Sequence, residues 1–405
     1  PSDLDLFMLM AIAEYVAATG DRAFLQSKIP LYTLKGNETE PITVLEHIKL
    51  AFKHLLTLGV GPHKLLTIGD GDWNDGAMLA NLFSSLANGY IVDFSETIKS
   101  GESVPNSQMA LYVLPLIASV IQNEDPQFAQ NLQIFTANLK EVVKAQWDTK
   151  TASFPRGYLV GYFTPEIPIN GYSLESQVWP LISGLAKEMG IEETMVETVK
   201  TRLVDPSPTG AMIGPSDLIW PAISQLLTWG YTKSRPDLAW QSFKKLTFAN
   251  HANVYPNVWF NIWTGPDATQ SASMDTPGGT WSSPFTPMTD SPGMNMNPHA
   301  MAWVALLRIC GVEPSAKGDG LDIVLRSQPE TYVLDTKMLK MNVESGKMKG
   351  NYIAFVDGQT TLHVTVPAGA KIASAKLNGQ EVGGLSPVAT QVDLILMFNA
   401  GENLN

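Results

Sequence analysis

The sequence predicts a mainly α protein, a multi-helix toroid followed by a small antiparallel β-domain, and three observations carry that expectation. Up to about residue 312, apolar residues recur at three- and four-residue spacing, with Gly, Pro or Asn at the breaks. The segments so marked are numerous, similar in length and mostly apolar, so each has more than one face to bury, which suits a toroid better than a single bundle. Beyond Gly311 the spacing changes to alternation in Val, Ile, Thr and Leu.

Taken in order, the first helix is expected near 3–18, where Ser2-Asp3 leads straight into an apolar run from Leu4 to Tyr15. No targeting segment stands before it, and we expect that the N-terminal part of a longer polypeptide is absent, which leaves localisation unreadable. Association with such a segment, or with a second copy of the chain, is left open. Further helices are expected near 43–58, 76–87, 106–122, 126–146, 173–189, 191–203, 216–229, 235–249 and 297–311. The intervals 147–172 and 250–296 are long and rich in Trp, Tyr, Pro and Gly, as loops that carry function are. Strands follow at 321–325, 352–356 and 361–366, separated by turn signals such as Asp357-Gly358 and Asn378-Gly379. A domain boundary between 312 and 313 is implied, with an accessory role for 313–405.

A net charge of −12 with only 27 basic residues argues against nucleic acid or an anionic membrane as partner, since both need clustered Lys and Arg. A neutral ligand such as a carbohydrate suits that surface. The single cysteine, Cys310, excludes an internal disulfide and a thiolate-built metal site. The six histidines are scattered without metal-ligand spacing, so neither a metal nor another cofactor is expected.

The densest chemistry lies in Gly69-Asp70-Gly71-Asp72-Trp73-Asn74-Asp75-Gly76, just after the apolar run Leu65-Leu66-Thr67-Ile68. Three acids this close repel one another, so at least one is expected to hold its proton near neutral pH. The indole between them offers a flat face for a sugar ring. An acid poised to protonate a leaving oxygen beside such a platform is the chemistry of glycoside cleavage. Two plainer readings compete. Asp70, Asp72 and Asn74 match the opening of a calcium loop, but Asp75 and Asn81 stand where that loop needs Gly and Glu. Asp75 as the N-cap of the next helix is compatible with catalysis.

Gly71-Asp72-Trp73-Asn74-Asp75-Gly76 resembles the G-D-W-N-D-G signature of the inverting cellobiose and chitobiose phosphorylase family. Other pieces fall in that family's order: Ser2-Asp3, Gly101-Glu102-Ser103-Val104, Gln146-Trp147-Asp148, and Ser176-Gln177-Val178-Trp179-Pro180. The resemblance spans about residues 1–190 and implies an (α/α)6 barrel lacking its first helices, followed by a β-sandwich. It puts the general acid on Asp75, a sugar-binding tryptophan at Trp73, and a supporting role on Asp72. The family's phosphate-binding G-Q-Y-T-H and T-G-S stretches are not matched by Gly214–Trp220 or by Thr289–Gly293, and a carboxylate repels phosphate. The sequence therefore favours an inverting hydrolase of a β-linked glucan or oligosaccharide, with phosphorolysis as the enzyme alternative and a non-catalytic sugar-binding protein as the alternative of another class.

An inverting hydrolase needs a second carboxylate to activate water. Glu175, Asp217, Asp267 and Asp290 are the candidates, with Asp290 preferred because it sits where phosphate would bind; each alone is also an ordinary helix cap or turn residue. Trp259, Phe260, Trp263, Trp281 and Phe285 are candidate sugar platforms, as are Tyr158, Tyr162 and Tyr172. Glu175, Asp267, Trp263 and Trp281 are thus expected to meet substrate with Asp72 and Trp73. Met294, Met296, Asn295 and Asn297 are placed in the same cleft, and His299 is read as a satisfied histidine at a helix start.

Overall fold

The computed structural model describes residues 2–33, 35–72, 89–169, 171–258, 267–281, 296–326, 329–344, 346–367, 369–386 and 388–404, with 296–299 described for the backbone alone. The expected helix at 76–87 lies outside these residues, as do Trp73, Asn74, Asp75, Trp259, Phe260, Trp263, Phe285, Asp290, Met294 and Asn295.

A helical layer is followed by a β-rich region. The helices are α1 (Leu4–Thr19), α2 (Val44–Leu58), α3 (Phe94–Ser100), α4 (Val104–Val120), α5 (Pro126–Lys144), α6 (Glu175–Ile182), α7 (Leu185–Glu188), α8 (Glu192–Val199), α9 (Pro221–Ser234), α10 (Pro236–Lys245), α11 (Phe248–Val254) and α12 (Met296–Ile309). Their starts follow from local chemistry. Thr43 and Glu46 close a capping box on α2, while Ser103 caps α4 and Asp125 caps α5. Pro221 opens α9 at a position where a missing N–H costs nothing.

Three expected helices are shorter or displaced. The 173–189 segment breaks into α6 and α7, because Gly184 is left-handed (φ 78°) and ends the first run. The 216–229 helix starts only at Pro221, since Gly214-Pro215-Ser216-Asp217 forms a turn with Ser216 at φ 62° and Asp217 N–H donating to Gly214 O. The 235–249 segment is divided by Thr247, which caps α11 by accepting from Asn250 N–H.

Within the layer α1 packs on α4, α4 on α6, α6 on α9 and α9 on α12, while α2, α5 and α10 lie against these from outside. Contacts between their ends show that these five inner helices point the same way. At one end Ser2 before α1 accepts from Asn106 Nδ2 of α4 (2.8 Å). At the other end Arg22, just after α1, donates to Val120 O at the end of α4 (2.6 Å).

The β-region meets that second end. After the short strands β1 (Lys28–Ile29), β2 (Ile42–Thr43), β3 (Glu102–Ser103), β4 (Gly157–Leu159) and β5 (Ile167–Pro168) of the helical layer, it contains β6 (Val312–Pro314), β7 (Gly320–Val324), β8 (Tyr332–Asp335), β9 (Leu339–Glu344), β10 (Lys347–Ile353), β11 (Gly358–Thr365), β12 (Lys376–Leu377), β13 (Gln380–Glu381), β14 (Gln391–Phe398) and β15 (Asn403–Leu404). Two four-stranded sheets have the orders β15-β10-β9-β8 and β14-β11-β7-β6. Their inner faces bury Leu321, Ile323, Leu334, Met341, Tyr352, Leu362, Val364 and Leu396. One expectation is corrected: the region is not wholly antiparallel, for β11 pairs with β7 in parallel. The chain leaves β7 to build the other sheet and returns in the same direction, a pairing that no local turn announces. Asn378-Gly379 does form the hairpin turn between β12 and β13, both residues at positive φ (50° and 78°).

Tyr352 Oη donates to Ala18 O (3.0 Å), and Arg22 Nη2 to Gly318 O (3.2 Å). Arg326 donates to Thr232 O, and Lys233 pairs with Glu313 at 2.7 Å. The β-region thus sits on the C-terminal ends of the inner helices and leaves their N-terminal ends to the loops.

Candidate active site

The segment that leads into the acid-rich motif is held by three hydrogen bonds to residues 101–107 before it reaches Asp72. Leu66 N–H is satisfied by Ser107 Oγ (2.9 Å), Leu66 O accepts from Ser103 N–H (3.0 Å), and Ile68 N–H donates to Gly101 O (2.8 Å). The chain then turns at Gly69 (φ 62°) and Gly71 (φ 150°), values that side-chain-bearing residues rarely adopt. Gly71 O accepts from Ser2 N–H at 2.8 Å and Ser2 Oγ at 3.3 Å, so the turn is tied to the start of α1.

Asp72 is 1% exposed. Its Oδ2 accepts from Ser103 Oγ, the cap of α4, at 2.9 Å, and its Oδ1 from Arg156 Nη2 at 2.6 Å. The same guanidinium donates through Nε to Glu175 Oε2 at 2.6 Å, and that oxygen also accepts from Ser173 Oγ at 3.2 Å. Burial alone would lower the Arg156 pKa, but the two carboxylates outweigh it and raise it, so the guanidinium is permanently charged. Asp72 and Glu175, expected to meet substrate, are brought together as the two arms of a buried network around Arg156. Gln177 secures the loop that carries Arg156, accepting from Phe154 N–H and donating to Phe154 O, both at 3.0 Å.

On the other face of the short strand Glu102–Ser103, Glu102 is fully buried and accepts from His63 N–H (2.9 Å), Leu65 N–H (3.1 Å) and the His63 ring (2.5 Å). Burial pushes its pKa up against the lowering effect of His63. Half-buried Tyr158 stacks one face on that imidazole with ring centres 4.3 Å apart, and Tyr172 is buried beneath the Arg202 guanidinium. Tyr162 is exposed.

The remaining described candidates lie along one path of main-chain hydrogen bonds. Leu174 N–H donates to Ile213 O, Ile213 N–H to Leu218 O, Ile219 and Thr269 exchange hydrogen bonds, and Trp281 N–H donates to Ala268 O. This run of main-chain bonds leads from the start of α6, which carries Glu175, past Asp217 to Asp267 and Trp281. Asp217 is half-buried, and burial pushes its carboxyl pKa up although Oδ1 accepts from Leu218 N–H (2.7 Å). A cavity of about 250 Å3 between α4, α5 and α7, lined by Leu111, Pro115, Thr136, Lys140, Ser183 and Glu188, shares no residue with the Arg156 network. Among the described residues no cluster of His, Cys, Asp and Glu is arranged to hold a metal ion, and no helix is long and apolar enough to cross a membrane.

Sequence reasoning missed Arg156. The available signal was an arginine in a Phe-Pro-Arg-Gly-Tyr loop of a chain with six arginines in all.

A family model described as the catalytic domain of the glycosyl hydrolase 94 superfamily matches residues 1–219, just over half of the chain. The chain belongs to the glycosyl hydrolase 94 superfamily. The matched residues of this family 94 chain include Gly71–Gly76, Arg156, Glu175 and Asp217. Membership places it in a family of enzymes that act on glycosides. It is 31% identical over 195 residues to solabiose phosphorylase from Paenibacillus borealis, covering 46% of this chain and 22% of that protein. It is 22% identical over 405 residues to 3-O-beta-D-glucopyranosyl-beta-D-glucuronide phosphorylase from the same organism, covering 90% of this chain and 48% of that protein. The family 94 chain thus spans less than half the length of either curated relative. Among solved structures, cellobiose 2-epimerase from Bacillus thermoamylovorans B4167 is similar at 10% identity and a TM-score of 0.37, covering 76% of this chain and 87% of that one.

Proposed function

We propose that the chain carries the catalytic domain of an inverting glycoside phosphorylase that cleaves a β-linked disaccharide or oligosaccharide. The family match carries this reading, because it spans the Gly71–Gly76 motif together with the network that anchors it. Both curated relatives bear the name of a phosphorylase, which favours phosphorolysis over the hydrolysis expected from the sequence.

In this reading Asp75 protonates the glycosidic oxygen as the bond to the anomeric carbon breaks. A phosphate oxygen attacks that carbon from the opposite face, giving a sugar 1-phosphate of inverted configuration and the released acceptor sugar. Trp73 supports the ring of the transferred sugar, and Trp263 and Trp281 extend the platform. Residues 1–312 form the greater part of an (α/α)6 barrel, and 313–405 form an accessory domain on its far end. Hydrolysis is the second reading, favoured by the absence of the family's phosphate-binding histidine stretch around Gly214–Trp220; it would use Asp290, Asp267 or Asp217 as general base.

The test is product analysis with the complete polypeptide on a panel of β-linked disaccharides and glucans, with and without phosphate. A sugar 1-phosphate formed in proportion to added phosphate is expected. Free reducing sugar released at a rate indifferent to phosphate would replace this reading by hydrolysis, and sugar binding with no turnover would replace both by the non-catalytic one.

A further inference from the structure

We infer that Arg156 is a positioning residue for catalysis: by clamping Asp72 to Glu175 it fixes the last anchored residue before the general acid Asp75. The inference rests on the reading of Asp75 as general acid.

Three features support it. Asp72 immediately precedes Trp73 and stands three residues before Asp75, so whatever fixes its side chain also fixes the origin of the motif. Arg156 reaches Asp72 and Glu175 through two different nitrogens, Nη2 and Nε, each at 2.6 Å. A planar fork can bridge two carboxylates in this way, whereas a lysine ammonium on a flexible stem meets them as a point charge with no set orientation.

The guanidinium also starts from a fixed base. Arg156 O accepts from Val104 N–H (3.3 Å), and Gly157 pairs with Ser103 across the strands. An added Cβ at Gly157 would come within 2.3 Å of Glu102 O, so that close approach allows no side chain. Phe154, two residues earlier, is held on both N–H and C=O by Gln177 of α6. The base of Arg156 is therefore registered to the starts of α4 and α6, and its tip ties the motif segment to both. Asp72 is held by Ser103 as well, but that hydroxyl belongs to α4 alone; Arg156 is the described side chain that hydrogen-bonds to both Asp72 and Glu175.

A positioning role has a signature that a merely structural role lacks. Displacing a general acid harms substrates with poor leaving groups and spares those that depart without a proton. We therefore compare Arg156→Lys with Asp75→Asn in the full-length protein, on an unactivated β-linked disaccharide and on a dinitrophenyl β-glycoside of the same sugar. Arg156→Lys should lower kcat on the disaccharide by about a hundredfold, with KM changed by less than about threefold, and leave the activated substrate within about threefold of the parent. Asp75→Asn should show the same selectivity.

The triple variant Asp72→Asn, Arg156→Gln, Glu175→Gln removes the buried charges together. It provides a folded comparison if the lysine variant does not fold, and it should keep the selective loss. Equal loss on both substrates, full activity on the disaccharide in either variant, or failure of both variants to fold would each overturn the inference and leave Arg156 a structural residue. Asp75→Asn reports separately on the function: if it keeps disaccharide turnover, the general-acid reading itself fails.

Discussion

The two ends of the helical layer are built from the same chemistry and differ in sign. At the N-terminal end one guanidinium, Arg156, serves two carboxylates, Asp72 and Glu175. At the C-terminal end Glu14 pairs with Arg308 (2.7 Å), and Glu313 with Arg326 (2.9 Å) and Lys233 (2.7 Å), so three cations serve two carboxylates. The backbone accounts for the difference. Parallel helices gather partial positive charge at their N-terminal ends and partial negative charge at the other, so an acid-rich network is favoured at the first and a base-rich one at the second. Glu175 lies in the first turn of α6, whereas Lys233 and Arg308 lie in the last turns of α9 and α12. Burial alone would raise the Glu313 pKa, but Lys233, Arg308 and Arg326 outweigh it and hold it down.

On the proposed reading chemistry belongs to the first end and cohesion to the second, and the largest expected effect tests the first half of that statement. Asp75→Asn should lower turnover on an unactivated disaccharide by about two to four orders of magnitude while the melting temperature barely moves. Steady-state kinetics beside a thermal melt decides it, and near-parental turnover in a folded variant would dissolve the contrast.

Arg308→Met at the other end should show the converse. It takes the cation from partly buried Glu14, which keeps the Tyr112 hydroxyl, and should cost about 2–3 kcal/mol of stability in urea unfolding. Turnover per folded molecule should be unchanged, and a kcat loss matching that of Asp75→Asn would show that the two ends are not separable.

A smaller effect compares two glycines at positive φ whose Cβ positions meet no described atom within 4 Å, Gly71 (150°) and Gly379 (78°). Alanine at either should cost about 1 kcal/mol through backbone strain. Only Gly71→Ala should also slow turnover, because that turn delivers the motif; equal kinetics for the two variants would count against the anchoring of Asp72.

The smallest effect concerns pH and belongs to the β-region. His363 on β11 is buried between Asp319 (3.0 Å) and Asp393 (2.9 Å). Burial would lower its pKa, but the two hydrogen-bonded carboxylates raise it overall, while His363 lowers that of Asp393. A raised histidine contributes stability in full below its unfolded value of about 6.5 and loses it as pH rises through the folded value; a lowered aspartate contributes above about 3.9 and loses it as pH falls through its folded value. The pair should therefore be most stabilising between about pH 4 and 6.5, by less than about 1 kcal/mol because both aspartates are partly exposed. Melting temperatures from pH 5 to 8 should decline by about 1–2 °C more in the parent than in His363→Gln, and parallel curves would remove the pair from the stability of this region.

Much of the helical layer was legible because its signals are local. Thr43 with Glu46, Asp125-Pro126 and Pro221 act within one turn of where they stand, and apolar spacing marks the helices between them. The misplaced boundaries fall where a single residue needed a conformation that periodicity does not register, as at Gly184 and Ser216. The acid-rich motif was equally legible, because eight consecutive residues carry it.

What sequence alone determined is thus the chemistry of short stretches: the acids and indole of 69–76, the helix caps, the Asn378-Gly379 turn and the change of period near Gly311. Tertiary structure decided which of those stretches meet. Arg156 is separated by 84 positions from Asp72 and by 19 from Glu175, and β7 joins β11 only after the chain has built another sheet. Such pairings depend on where whole helices and sheets come to rest. A charge buried between two segments is selected by the cost of leaving it unpaired, and that cost exists only once the segments have been brought together and water has been excluded.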